Sequence, residues 1–278
     1  MSIPATTTVR GISVPTLGFG TWEVTGSDAS GGVADALAAG YRHIDTASAY
    51  GNEEEVGQGL ARGGVPRDDI WLTTKVWQDD YAPDRVRASA ERSLRSLGTD
   101  YLDLLLLHWP VDGDDHVVEA LGVLLELREA GAIRELGVCN TPVAMLGRLH
   151  DRVPELFNDQ VEFHAHLGQQ PLLEEARRRD VLVTAYSPLA NGKGLIGQPA
   201  LQEVAAERGA TPAQVAIAYL ARQEGVVVLP RSTDPGRRRE NLAALEVDLT
   251  ADDVARLDEL STAGRRYVDP PFAPDWND

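Results

Sequence analysis

The chain contains the stretch LDLLLLH at residues 102–108, a short apolar run that ends in a polar side chain, His108. Two other apolar runs end in the same way, because IWLTTK ends in Lys75 and YRHID ends in Asp45. Tyr50 follows just beyond Asp45. Runs of this length are strand-sized, and parallel strands that close into a barrel bring their C-terminal ends to one rim, where such barrels keep their chemistry.

Short apolar runs alternate with longer amphipathic segments along the whole chain. Strands are predicted near residues 17–20, 41–45, 70–75, 102–108, 134–138, 158–162, 181–185 and 226–229. Helices are predicted near residues 29–39, 53–62, 83–97, 116–130, 142–151, 171–179, 199–221, 235–243 and 250–260. The segment 199–221 is expected to break before Pro212, where Thr211 can cap a new helix. Thr250 begins a similar capping sequence.

Eight strands separated by helices predict an α/β protein, a (β/α)8 TIM barrel formed by one domain over residues 1–278. Residues 7–14 predict a short β-hairpin that could plug the barrel floor, and the proline-rich tail from Thr262 is expected to be irregular and to fold back over the rim. An open doubly wound sheet is the alternative. The turn at residues 18–23 lacks that fold's third glycine, and no Walker-type sequence occurs.

The bulk composition excludes several classes of protein. The chain has 278 residues and a net charge of −17, which would repel phosphates and argues against general nucleic-acid binding. No apolar stretch approaches the roughly 20 residues of a membrane-spanning helix, and the N-terminus lacks the pattern of a signal peptide. The only cysteine, Cys139, excludes an internal disulfide and fits a reducing, cytoplasmic location.

The basic residues are almost all arginines, since Lys75 and Lys193 are the only lysines. An acidic surface with so little lysine resembles proteins adapted to high intracellular salt, and we expect such a halophilic adaptation here. Biased codon usage is the alternative. It favours arginine over lysine but does not explain the surplus of acidic residues.

The four polar residues at the predicted rim could together form an acid catalyst. They are Asp45, Tyr50, Lys75 and His108. A free phenol has a pKa of about 10, and a nearby ammonium such as Lys75 would lower the pKa of Tyr50. A buried lysine needs a carboxylate partner, for which Asp45 is placed, and His108 could orient a substrate oxygen. Taken singly, each residue has a structural alternative. Asp45 and Lys75 could form an ion pair that only stabilises the fold. Tyr50 could be an aromatic residue of the rim, and His108 could be a buried core histidine. Their joint occurrence at strand ends favours the catalytic interpretation.

An ordered series of motifs resembles the aldo-keto reductase superfamily along nearly the whole chain. The motifs lie at residues 41–47, 50–53, 74–75, 108–110, 137–140, 160–162, 186–189, 230–232 and 240–241. The short loop at 190–198 is similar to the prokaryotic branch that includes 2,5-diketo-gluconate reductases. The resemblance implies a (β/α)8 barrel without a Rossmann domain, NADPH bound across the rim, and reduction of aldehydes or ketones.

Carried over onto this sequence, the resemblance implies that Tyr50 donates a proton and that His108 orients the carbonyl. It also implies that Lys75 and Asp45 tune the pKa of Tyr50. The residues implied in cofactor binding are Thr21, Trp22, Asp45, Asn140, Gln160, Tyr186, Ser187, Leu189, Arg231, Ser232, Arg237, Glu240 and Asn241. Asn140 and Gln160 would hold the carboxamide and Tyr186 would stack on the nicotinamide. Cys139 departs from the usual serine, and a thiol is the weaker hydrogen-bond donor.

The segment 231–241 favours NADPH over NADH, because it carries four arginines and opens a helix, whose N-terminus attracts phosphate. The 2′-phosphate would lie between Arg231, Ser232 and Arg237, with Arg231 in place of the family's usual lysine. For Arg238 and Arg239 the alternative is a solvated helix face. Residues 189–195 could form a flap over the pyrophosphate, with Lys193 reaching a phosphate, although an ordinary flexible loop is the alternative.

The predicted substrate pocket is lined by residues at the strand ends, namely Trp22, Tyr50, Trp77, His108 and Trp109. Trp276 in the tail could close that pocket. Two rival functions remain: a non-catalytic NADPH-binding barrel, and a metal-dependent hydrolase that would use His164 and His166. No further ligand cluster completes a metal site in the sequence, so we expect no metal. We also expect a monomer whose partner is a small carbonyl compound.

Overall fold

The computed structural model describes residues 3–111, 113–262 and 264–277. The expectation about a signal peptide concerns the first residues of the chain, of which Met1 and Ser2 lie outside these ranges. The strands are β1 Thr6–Val9, β2 Ile12–Pro15, β3 Phe19–Gly20, β4 His43–Asp45, β5 Trp71–Val76, β6 Leu102–Leu107, β7 Ile133–Cys139, β8 Asn158–Glu162, β9 Leu182–Tyr186 and β10 Val226–Leu229. The α-helices are α1 Gly26–Ala39, α2 Glu53–Gly63, α3 Pro83–Leu97, α4 Asp114–Glu129, α5 Val143–Arg152, α6 Gln170–Arg178, α7 Pro199–Arg208, α8 Pro212–Ala221, α9 Pro235–Leu242 and α10 Ala251–Ser261.

Strands β3 to β10 form one parallel sheet in which every strand neighbours the next one along the chain. The two edges of this sheet meet, because Leu17 forms a parallel bridge with Val228 and Gly20 N–H donates to the Pro230 carbonyl at 3.2 Å. The predicted (β/α)8 barrel is therefore confirmed, and the open doubly wound alternative is wrong.

Strand β6 shows why this fold requires continuous apolar runs. All its residues are buried, and the four leucines at 104–107 alternate between two sides. Leu104 and Leu106 belong to the inner cluster with Trp71, whereas Leu105 and Leu107 belong to the larger core beneath the helices. A strand covered on both faces needs apolar side chains at successive positions rather than at alternate ones.

The N-terminal hairpin closes the floor of the barrel, as the sequence predicted. Strands β1 and β2 pair antiparallel, and Val14 is fully buried within the inner cluster. The Thr7 hydroxyl donates to the carbonyl of Val226, the first residue of β10, at 3.1 Å. The opposite rim, where the strands end, is the one left to form a site.

The helix boundaries follow local capping chemistry. Helix α7 ends before Gly209, whose φ of +63° suits glycine, and α8 starts with a capping box between Thr211 and Gln214. Thr250 makes the equivalent box for α10. Helix α1 begins at Gly26, earlier than predicted, because its first turn is too polar to show the apolar periodicity. Within the described ranges, no helix has the length and apolar character needed to span a bilayer.

Candidate active site

The ends of three strands bring the predicted rim residues together. Asp45 ends β4, Lys75 lies near the end of β5, and His108 directly follows β6. Tyr50 ends a short 3₁₀ turn that begins at Ser48, just after β4. Asp45, Tyr50 and His108 line a cavity of about 530 Å³, and Lys75 lies buried behind them.

The lysine connects the members of this cluster. Lys75 Nζ lies 2.6 Å from Asp45 Oδ1 and 3.5 Å from the Tyr50 hydroxyl, and it donates to the Thr46 carbonyl at 2.7 Å. The Tyr50 and His108 rings meet edge to face with their centroids 5.7 Å apart. The ammonium group therefore contacts both the carboxylate and the phenol.

Burial and charge act against each other at Lys75. Burial disfavours the ammonium form and is the largest single effect, but the neighbouring groups, Asp45 foremost and Tyr50 next, together outweigh it and raise the pKa of Lys75 above its ordinary value. Asp45 is itself supported by a second donor, Gln160 Nε2, at 2.8 Å from Oδ2. Lys75 consequently stays charged although its side chain is buried.

The pKa of Tyr50 differs from the sequence-based expectation. Burial raises the pKa of Tyr50 to about 12, and the Lys75 ammonium offsets only part of that effect. Lys75 thus lowers the pKa of Tyr50 as predicted, but the net shift is upward, because the prediction left out the desolvation of the phenolate. The phenol remains protonated at neutral pH, which is the form that can donate a proton.

His108 is neutral in the same site. Burial, assisted by the charge on Lys75, lowers the pKa of His108 well below its ordinary value. Its Nδ1 atom is buried and has no hydrogen-bond partner among the described residues. A neutral imidazole has one N–H donor and one acceptor nitrogen, so the ring can donate a hydrogen bond without carrying charge.

Two amide side chains and a tyrosine form the adjoining wall of the cavity. Asn140 has a φ of +59°, its Nδ2 donates to the His108 carbonyl at 3.0 Å, and its Oδ1 accepts from the Tyr186 hydroxyl at 2.7 Å. Asn140 N–H also donates to the Gln160 carbonyl at 2.9 Å. Cys139, next to Asn140, is buried and lines the cavity, and burial raises the pKa of its thiol well above the ordinary value.

Most of the predicted site residues lie on this one cavity. Those that line it are Trp22, Asp45, Tyr50, Trp77, His108, Trp109, Asn140, Gln160, Tyr186, Ser187, Leu189, Arg231 and Arg237. Five others are not among its lining residues: Thr21, Lys75, Ser232, Glu240 and Asn241. Thr21 is buried and donates to the Asp45 carbonyl at 3.0 Å, and Glu240 accepts from Thr211 at 2.6 Å.

The arginines at the start of α9 occupy different environments. Arg231 lies 3.3 Å from Glu23, and Arg237 lines the cavity. Arg238 is only 4 % exposed, and its Nε atom donates to Asp35 at 2.8 Å, so the alternative of a solvated helix face is wrong for this residue. Arg239 does lie on the exposed face, with 62 % of its side chain accessible.

The loop after β9 borders the cavity. It contains two short 3₁₀ turns, Ala190–Gly192 and Leu195–Gly197, and the cavity is lined there by Asn191, Gly192 and Ile196. Lys193 is exposed between the two turns. The loop predicted as a flap, residues 189–195, therefore borders the cavity, and its closure over a pyrophosphate stays a prediction. Ile196 was not predicted as a lining residue, because an isolated apolar residue in a glycine-rich loop gives no pattern.

Aromatic rings form the outer mouth. Trp77 lies edge-on to His108 at 5.3 Å, and Phe272 from the tail packs against both Trp77 at 5.7 Å and Trp109 at 5.4 Å. Trp276 lies 6.4 Å from Trp109, so the tail folds back over the rim as expected. Phe272 was not predicted as a site residue, because it has no regular spacing from the strand ends.

His164, one of the two histidines considered as metal ligands, has a different partner. Its Nε2 atom lies 2.9 Å from Glu162 Oε1, both residues being fully buried. Across residues 3–111, 113–262 and 264–277 there is no group of three or more side chains suited to hold a metal ion.

Comparison with known proteins agrees with this geometry. The Aldo/keto reductase family model matches residues 16–262. The chain belongs to the aldo-keto reductase family. It is 39 % identical over 270 residues to an aldo-keto reductase of Mycolicibacterium smegmatis, covering 96 % of this chain and 97 % of that protein. It is 38 % identical over 260 residues to the methylglyoxal reductase DkgA of Escherichia coli K12, covering 92 % and 93 % of the two chains.

A solved structure extends this agreement to three dimensions. The crystal structure of a proposed 2,5-diketo-D-gluconic acid reductase B superimposes with a TM-score of 0.94 at 39 % identity, covering 99 % of this chain and 98 % of the other. As a member of the aldo-keto reductase family, the protein is an oxidoreductase that acts on carbonyl or alcohol groups of small molecules. This family generally uses nicotinamide cofactors.

Proposed function

We propose that the protein reduces small aldehydes, ketones or dicarbonyl compounds to alcohols with NADPH, with Tyr50 as the proton donor. The observation that carries this proposal is the contact of the Tyr50 hydroxyl with Lys75 Nζ at 3.5 Å, on the wall of a largely apolar cavity. A purely binding barrel would have no need of a buried ammonium aimed at a phenol.

The side chains divide the chemistry among them. NADPH, when bound, supplies a hydride to the carbonyl carbon. The neutral His108 ring donates a hydrogen bond to the carbonyl oxygen and orients it, and the protonated Tyr50 transfers its proton to that oxygen as charge develops there. Lys75 stabilises the resulting phenolate, which offsets the burial that otherwise disfavours it. Asp45 keeps Lys75 charged throughout.

The residues around the cavity suit such a cofactor. Tyr186 offers a ring for stacking, and Asn140 keeps one amide hydrogen and one lone pair beyond its bonds to His108 and Tyr186. At the other end, Arg231 and Arg237 supply positive charge near the N-terminus of α9, in a chain whose net charge is −17. These charges favour NADPH over NADH, because only NADPH carries the extra phosphate.

The remaining cofactor residues are assigned more indirect parts. Thr21 supports the end of β4 through its bond to the Asp45 carbonyl, while Trp22, Ser187 and Leu189 border the groove. We assign Ser232 to the 2′-phosphate with the two arginines, and Glu240 and Asn241 to the adenine side. Trp22, Trp77 and Trp109 form the substrate mouth together with Tyr50 and His108.

The direct test is the absorbance of reduced nicotinamide in the presence of NADPH and a panel of aldehydes, ketones and dicarbonyls. We expect turnover in the wild type and a loss of roughly 10²- to 10⁴-fold in Tyr50→Phe, with NADPH affinity unchanged. NADPH binding without turnover on any carbonyl would instead favour the regulatory barrel. Loss of binding and turnover together in Tyr50→Phe would contradict the proposed role of the phenol.

We also propose that residues 1–278 form a single domain that works as a monomer in a reducing, salt-rich cytoplasm. The supporting observations are the net charge of −17, the two lysines and the one buried thiol. Light scattering would test the oligomeric state. Reductase activity measured across a potassium chloride series would test salt adaptation, which full activity without added salt would contradict.

A further inference from the structure

One buried carboxylate holds the C-terminal tail, residues 264–277, across the rim. Glu162 ends β8 and is fully shielded from solvent. Its Oε1 accepts from the backbone N–H of Tyr267 at 2.9 Å, and its Oε2 accepts from that of Val268 at 3.0 Å. Both oxygens of one fully buried side chain therefore hold two successive backbone N–H groups of the tail.

The two histidines once considered as metal ligands belong to the same attachment. His164 Nε2 lies 2.9 Å from Glu162 Oε1, and His166 Nδ1 lies 2.9 Å from the Tyr267 hydroxyl. The backbone N–H of Arg265 donates to the His166 carbonyl at 2.9 Å. The loop after β8 thus contacts the start of the tail at several successive residues.

The attached segment forms part of the substrate mouth. Val268 lines the cavity directly, and Phe272 packs edge-on against both Trp77 and Trp109. Phe272 is 43 % exposed, so these ring contacts cover only part of its side chain. The placement of this wall therefore depends on how the start of the tail is attached, and the two bonds to Glu162 are part of that attachment.

We propose that Glu162 is a positioning residue for substrate selection. By holding Tyr267 and Val268, it fixes the tail wall made by Val268 and Phe272 against the tryptophans of the mouth. This inference rests on the proposed reductase function. Bulky carbonyl substrates that contact the tail wall depend on Glu162, whereas small ones that reach only Tyr50 do not.

The attachment is tested first without substrate or cofactor. Glu162→Gln replaces one accepting oxygen with an NH₂ donor, so Tyr267 or Val268 loses its acceptor. We expect amide hydrogen exchange at these two residues, measured by NMR, to become at least roughly tenfold faster. Glu53→Gln is the matched control, because Glu53 is also a buried carboxylate but bonds to Thr74 instead. Unchanged exchange in Glu162→Gln overturns the proposal. If that variant does not fold, Glu162→Asp shortens the reach and serves the same measurement.

Kinetic measurements then test whether the attachment at Glu162 affects substrate selection. With NADPH, Glu162→Gln is expected to raise KM for 4-nitrobenzaldehyde roughly tenfold more than KM for methylglyoxal, while the Kd for NADPH stays unchanged. Phe272→Ala, at an exposed position, should reproduce this selectivity without faster exchange at Tyr267. Equal effects on both aldehydes would overturn the positioning role. Failure of the wild type to reduce either aldehyde would refute the proposed function, and the exchange measurement would still decide whether Glu162 holds the tail.

Discussion

Removing Lys75 alone is expected to destabilise the folded protein strongly, because it leaves the buried Asp45 charge without its counter-ion. The two groups are 2.6 Å apart, and their side chains are only 1 % and 4 % exposed. Breaking such a pair from one side costs about 3–5 kcal/mol. Gln160 Nε2 would still donate to Asp45 at 2.8 Å, so we expect Lys75→Met to lose about 3 kcal/mol, near the lower end of that range.

The double variant Lys75→Met/Asp45→Asn isolates the charge from the packing. Both variants lose the bond to the Thr46 carbonyl, so that loss cancels between them. Without a stranded carboxylate, the double variant should recover at least about 1–2 kcal/mol relative to Lys75→Met. Urea unfolding followed by circular dichroism measures these free energies. A double variant as unstable as Lys75→Met would show that the uncompensated charge is not the source of the loss.

Three further predictions concern packing, pH and the cofactor. Gly59→Ala should lower the free energy of unfolding in urea by about 1–3 kcal/mol, since the new Cβ would lie 2.6 Å from Val33. Gly122→Ala is the control: its Cβ would meet nothing within 4 Å, so it should raise that free energy by about 0.5–1 kcal/mol. Equal effects of the two variants would contradict the close α1–α2 packing. Burial lowers the pKa of His43 to about 3, so protonation favours the unfolded chain. The free energy of unfolding should therefore fall by roughly 1 kcal/mol per pH unit as the pH drops below about 6.5. His43→Gln should flatten that slope, and an unchanged slope would refute the role of His43. In fluorescence titrations, Arg231→Ala should weaken the binding of NADPH about tenfold or more and should change the binding of NADH only a little. Equal weakening of both cofactors would refute the assignment of Arg231 to the 2′-phosphate.

Much of the fold could be predicted because its signals are local. A strand buried on both faces, such as Leu102–Leu107, is apolar throughout, and a capping residue such as Thr211 lies beside the helix it starts. The placement of Asp45, Lys75 and His108 on one rim also followed, since each stands at or just beyond the end of a strand. Because consecutive strands of a parallel barrel lie side by side, these three residues are predicted to lie close together even though the sequence gives no distances.

The rest could not be predicted, because it depends on contacts between segments far apart in the chain. The alternative reading of Arg238 as solvated failed because its partner, Asp35, lies 203 residues away. The direction of the Tyr50 pKa shift depends on how much protein covers the phenol, which the sequence does not show. The attachment of Val268 to Glu162 spans 106 residues and uses a backbone N–H, which every residue except proline offers, so the residue type gives no signal.

The scarcity of lysine has a practical consequence for chemical labelling. Lys75 is buried at 1 % exposure, whereas Lys193 stands exposed in the loop beside the cavity. Apart from the α-amino group, an amine-directed dye therefore finds one accessible attachment point on the native protein. A fluorophore coupled there would sit next to the groove assigned to the cofactor, so the unaltered sequence already carries a site-specific handle for following ligand binding by fluorescence.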